Sequence, residues 1–176
     1  MTDVPQPLEK IRRAFERNAR AMELRASVGQ GTAITRVRVG NGLTCEIEEG
    51  AWKLTADMGE KSGGNDAGPN PGVLGRAALG SCLAIGYVMW AARRGVQLDE
   101  LEVEIQADYD SRGYHGVAGI EPGYTEIRYL VRVNSPAPDD QILRLLDEAD
   151  AHSDYLAVFA RPQKMIRQVD IRRSGS

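Results

Sequence analysis

One segment constrains this chain more than any other. Between Val73 and Arg94, the residues Val73, Leu74, Ala77, Ala78, Leu79, Cys82, Leu83, Ile85, Val88, Met89 and Trp90 make the chain apolar nearly all round. A helix without a polar face belongs inside a core. Pro71 at its start and Gly95 at its end follow the asymmetry of helix termini. Gly75, Ala77, Ala78, Gly80, Ser81, Ala84 and Gly86 are small enough to let another helix approach closely. Gly80 and Gly86 each cost about 1 kcal/mol relative to alanine in an isolated helix, so tertiary packing must offset that loss. The charge-free stretch Ala77 to Ala92 is shorter than the roughly 18–20 residues of a membrane span. A protein core is therefore expected around it, and no membrane.

The flanking periods define the fold class. Residues 7–25 carry Leu8, Ile11, Phe15 and Met22 at near-helical spacing, with Arg and Glu on the other face. An amphipathic helix that packs its stripe on the domain or on a partner subunit is expected. Its arginines are interleaved with Glu9, Glu16 and Glu23, which argues against a nucleic-acid helix. From Val37 the period is two, and Gly40-Asn41-Gly42 between alternating runs signals a hairpin. A third strand is expected at Trp52 to Met58, then a loop over Gly59 to Pro71. Beyond the apolar helix, residues 98–109 alternate through Leu101, Val103, Ile105, Ala107 and Tyr109. A glycine loop holding His115 leads to a partner strand with Ile127, Tyr129, Val131 and Val133 on one side. A helix capped by Asp139 follows, then a short apolar segment Tyr155 to Ala160 and a closing strand at Met165 to Ile171. Strands do not alternate with helices one for one, so the class is α+β with mostly antiparallel sheets. Residues 1–31 read as a helical extension and 32–176 as the domain.

The totals exclude several functions. With 22 basic and 25 acidic residues the formal charge is −3, which offers no chain-wide attraction to nucleic acid. Cys45 and Cys82 are too few for a disulfide framework or a cysteine-rich zinc site, and only His115 and His152 could add ligands. No metal or cofactor is expected. The charged first 25 residues lack the apolar core of a signal peptide, so a reducing, cytoplasmic setting is the expectation. His152 beside Ser153 has no readable acid or oxyanion hole, which argues against a serine hydrolase.

Gly68-Pro69-Asn70-Pro71, Leu74, and Ala77-Ala78-Leu79-Gly80-Ser81-Cys82-Leu83 resemble the signature of the OsmC/Ohr family. Gly95-Val96-Gln97-Leu98, Leu101-Glu102-Val103-Glu104 and Glu121-Pro122-Gly123-Tyr124 extend the resemblance over roughly residues 32–171. It implies an OsmC-like fold and an intertwined homodimer whose long central helices lie side by side. It also implies reduction of organic hydroperoxides by a cysteine on that helix, assisted by a second, resolving cysteine, a glutamate and a hairpin arginine. Cys82 stands at the attacking position, whereas Ser153 stands at or near the resolving one and Gly72 at that of the glutamate. Arg36 and Arg38 are the candidates for the arginine.

The chemistry of Cys82 is open in two directions. A thiol of ordinary acidity is only a few per cent thiolate at neutral pH, so attack on a peroxide requires a neighbour that favours the anion. Apolar burial does the opposite and makes a cysteine an inert packing residue. A hydroperoxide reductase that uses Cys82 alone, with an external thiol as reductant, is one reading. A non-catalytic dimer that binds a small apolar ligand at its interface is the other. Cys45 alternates with Ile47 and reads as core.

Overall fold

The computed structural model describes residues 6–173. Residues 1–5 of the expected extension and 174–176 of the expected domain lie outside the described residues. Helix α1 (Gln6–Leu24) leads to an antiparallel meander of β1 (Arg36–Val39), β2 (Cys45–Glu49) and β3 (Trp52–Ala56). Helix α2 (Pro71–Arg94) follows, then β4 (Glu100–Tyr109), the one-turn helix α3 (Ser111–Tyr114) and β5 (Tyr124–Asn134). Helices α4 (Asp139–Asp150) and α5 (Asp154–Ala160) complete the regular elements. The α+β reading holds, and every strand pair is antiparallel.

Local chemistry accounts for most boundaries. The Asn70 side chain accepts the Val73 amide at 3.0 Å, Pro71 opens α2, and Gly95 closes it in the left-handed region at φ 67°. Between β1 and β2 the Thr44 amide donates to Asn41 O across a turn, with Gly42 at φ 62°. Asp139 is not the N-cap of α4 as expected. Pro138 holds that place in extended conformation with no side-chain bond, and Asp139 lies in the first turn, where the helix dipole favours a carboxylate.

The core lies along one side of α2. Leu79, Leu83, Tyr87, Trp90 and Ala91 are buried with Val96, Leu145 and Ala149, and the apolar face of β4–β5 packs onto them. That face pairs Leu101 with Val133, Val103 with Val131 and Ile105 with Tyr129. Its other face is wet, and Arg132 and Arg128 bridge to Glu104 and Asp108 there. The close approach at Gly80 is made by a strand and not by a helix. A Cβ there would stand 3.2 Å from Ile105. Helix α1 closes one end, with Phe15 edge-on to Trp90 at 5.4 Å and the Arg93 guanidinium over both rings. Phe15 of the α1 stripe thus packs on the domain, whereas Met22 is exposed.

Two expectations need correction. Helix α2 is not buried all round: Val73, Ala77, Ser81, Ile85 and Met89, four residues apart, form an exposed stripe. The chain supplies layers for one side of the helix only. By length and composition α2 would qualify as a membrane span, as the core helix of a layered fold also does. Here α1, α4, α5 and β4 pack along it. The expected closing strand does not form. Residues 165–171 have no regular structure, and Met165, Ile166, Val169 and Ile171 are exposed. A strand needs an edge to hydrogen-bond to, and an alternating run without one has no reason to stay extended.

The loop after β3 is built on a buried acid. Asp57, 2% exposed, accepts from Thr44 Oγ1 and from the amides of Met58, Asn65 and Ala67. Burial works against its ionisation, but these hydrogen bonds outweigh it and hold the carboxyl below its ordinary value. A folded value below the unfolded one means the carboxylate stabilises the fold above the unfolded value and ceases to do so as pH falls through the folded one. Asp57→Ala is expected to expose the Asn65 and Ala67 amides to exchange at neutral pH and to lower the thermal midpoint by several degrees. Acidification of the wild type should reproduce the loosening. Amide hydrogen exchange checks both, and unchanged protection in the variant would refute the role.

Candidate functional site

Cys82 lies on α2 at the border between the buried face and the exposed stripe, and is half-buried. Its Sγ is 3.6 Å from Ser153 Oγ. The two positions that the resemblance pairs are therefore brought together, with the Ser153 hydroxyl where the resemblance implies a second thiol. Ser153 caps α5 by accepting the Leu156 amide at 3.3 Å. Among the described residues, Ser153 is the hydrogen-bonding neighbour of Cys82. Cys45, expected in the core, is instead half-buried on β2 outside the core cluster, with its Sγ 3.6 Å from Leu43 O.

The hairpin arginines lie elsewhere. The register groups Val37, Val39, Cys45, Ile47, Leu54 and Ala56 on one face of the meander. Arg36 and Arg38 alternate onto the opposite face, where Arg38 donates to Glu48 at 3.0 Å and Lys53 reaches the same carboxylate at 3.3 Å. The hydrogen bonds from Arg38 and Lys53 hold the Glu48 carboxyl below its ordinary value. Arg38 is thus held by Glu48 on its own sheet. At Gly72, where the resemblance implies a carboxylate, there is no side chain, and Asn70 Oδ1 lies 3.2 Å from where a Cβ would stand. Arg76 Nη1 lies 3.2 Å from the same point, and it donates to Tyr124 OH at 3.0 Å. That phenol in turn donates to Gly72 O at 3.3 Å.

Tyr87 and Asp150, which help to frame the site, were not singled out from the sequence. Asp150, near the end of α4, accepts from Tyr87 OH at 2.6 Å and from Tyr129 OH at 2.8 Å. Burial and then the bond to Asp150 push both phenols up, Tyr129 to about 12, so each remains a donor at neutral pH. His152 packs against Trp90 with the rings tilted by 40° and centroids 4.7 Å apart, and its Nδ1 is 2.7 Å from Glu148 O. A signal existed. A tyrosine on a buried helix needs a partner for its hydroxyl, and a carboxylate at a helix C-terminus needs an outside donor. His115 is exposed beside α3, with Nδ1 2.8 Å from Ser111 O. No group of three or more metal-binding side chains occurs among the described residues.

A two-layer α+β domain that holds one half-open thiol on its central helix defines a class of thiol-bearing proteins. The chain belongs to the OsmC-like protein family, whose model matches residues 63–166. No functionally curated protein matches it. Among solved structures it is similar to an OsmC-like protein from Mycoplasma pneumoniae, at TM-score 0.63 and 12% identity over 74% of this chain and 89% of that one. It is also similar to an organic hydroperoxide resistance protein from Legionella pneumophila, at TM-score 0.52 and 18% identity over 73% and 89%. A third, an organic hydroperoxide resistance protein from Elizabethkingia anophelis, gives TM-score 0.56 and 14% identity over 73% and 87%. At these identities the likeness is one of fold.

Proposed function

We propose that this chain reduces organic hydroperoxides with Cys82 as its one peroxidatic thiol. The observation that carries the reading is the Cys82–Ser153 pair: a half-open sulfur, in a family member, facing a hydroxyl in place of a second thiol. The Cys82 thiolate attacks the peroxide oxygen, the O–O bond breaks, and the leaving alkoxide takes a proton to become an alcohol. Cys82 is left as a sulfenic acid. Two equivalents of an external thiol return it to the thiol and yield water and a disulfide of the reductant.

The working unit in this reading is a homodimer. Two unpartnered apolar surfaces support it: the α2 stripe, with open space at Gly75 and Gly86, and the meander face that includes the exposed Val37, Val39 and Leu54. Cys82 borders the first, so a second copy would wall the peroxide site with hydrocarbon. A binding module for an apolar ligand competes, favoured by Gly72 and by arginines that point away from the meander's apolar face. The test is consumption of cumene hydroperoxide with dithiothreitol by purified protein. Turnover is expected in wild type and Cys45→Ser and its loss in Cys82→Ser. Equal consumption by Cys82→Ser, or none by wild type, refutes the reductase.

A further inference from the structure

The corner between α4 and α5 is fixed more firmly than a helix cap requires. Asp150 is clamped by a phenol from α2 and one from β5, and Tyr87 is only 1% exposed. His152 is held against Trp90 of the same α2. Ser153 follows directly, so its position relative to α2 is set from two sides. Its Oγ accepts the Leu156 amide. A hydroxyl has a single proton, and with that amide on the oxygen the proton is left for another acceptor. Cys82 Sγ, at 3.6 Å, is within reach of that proton, and either atom can be the donor in this contact.

We propose that Ser153 donates its hydroxyl proton to Cys82 and so favours the ionised sulfur, and that Asp150 is the positioning residue that keeps this donor in place. The inference rests on the thiol chemistry proposed above. A hydrogen bond to an anion is roughly twice as strong as one to a neutral group, so the donor stabilises thiolate over thiol. Charged groups nearby give little other help. Of the arginines at the end of α2, Arg94 is bound to Glu148 and Arg93 lies over Phe15 and Trp90. His152 has its Nδ1 turned to a backbone carbonyl.

The test is the pH dependence of iodoacetamide alkylation of Cys82 in a Cys45→Ser background, with circular dichroism to confirm folding. Ser153→Ala is expected to move the midpoint up by about one pH unit and to slow neutral alkylation by about tenfold. Ser153→Thr should restore it. Asp150→Asn, which weakens the clamp without removing the hydroxyl, should give a smaller shift in the same direction. A wild-type midpoint in Ser153→Ala, or a Ser153→Thr shift as large as that of alanine, overturns the role of Ser153. A wild-type midpoint in Asp150→Asn overturns that of Asp150. Peroxide turnover is read separately. A wild type without turnover whose midpoint still moves in Ser153→Ala sinks the reductase and leaves this inference standing.

Discussion

A Ser153→Cys variant exposed to an organic hydroperoxide is expected to close a disulfide to Cys82. The atoms are already in place: Sγ and Oγ are 3.6 Å apart, and a disulfide needs about 2.05 Å. The step balances without another reagent. Peroxide converts Cys82 to a sulfenic acid, the introduced thiol attacks that sulfur, and water leaves. The bond would span 71 positions of chain, a loop for which the chain-entropy account gives roughly 4 kcal/mol of stabilisation. Loss of the serine cap costs about 0.5–2 kcal/mol, so the oxidised variant should melt above wild type. The larger effect is on the fate of Cys82. Without a second thiol, excess peroxide carries the sulfenic acid to sulfinic acid, which dithiothreitol does not reverse. In the variant nearly all molecules should regain Cys82 on reduction. Intact mass measures both outcomes, as loss of two hydrogens in the variant and gain of two oxygens in wild type. A variant that gains oxygen as wild type does would show that the two positions never meet in solution.

The parts of this fold legible in the sequence are those set by neighbouring residues. Pro71 and Gly95 bracket α2 because helix ends are governed by φ and by free amides within one turn. The alternation of Leu101, Val103 and Ile105 against Ile127, Tyr129, Val131 and Val133 predicts the β4–β5 ladder for the same reason. Features that depend on distant or absent surfaces were misread. Residues 165–171 alternate like a strand, but the pattern carries no information about whether an edge is within reach. An apolar run such as α2 reads as buried all round, although the chain covers one side. At the site, Cys82 and Ser153 were reached through family resemblance. The Tyr87–Asp150–Tyr129 clamp was missed because three elements compose it, and none alone carries a motif.

That half-covered helix makes the second large effect a matter of where a charge can sit. Ile85 is 61% exposed on the stripe of a single chain, so Ile85→Asp places a carboxylate in water and should leave the fold of an isolated protomer nearly unchanged. If two stripes meet, the same substitution puts two carboxylates into an apolar contact, where each costs several kcal/mol unless paired. The proposed dimer should then dissociate at micromolar concentration while circular dichroism is preserved. Light scattering after gel filtration reads this directly: wild type at twice the 19.2 kDa chain mass, the variant at that mass. Because Cys82 borders the stripe, loss of the partner would also expose the sulfur to water, and peroxide turnover should fall with the dimer while alkylation by small reagents rises. Wild type at the single-chain mass would refute the homodimer. A variant that stays dimeric would move the interface off this helix, leaving the exposed apolar face of the meander as the surface through which two copies meet.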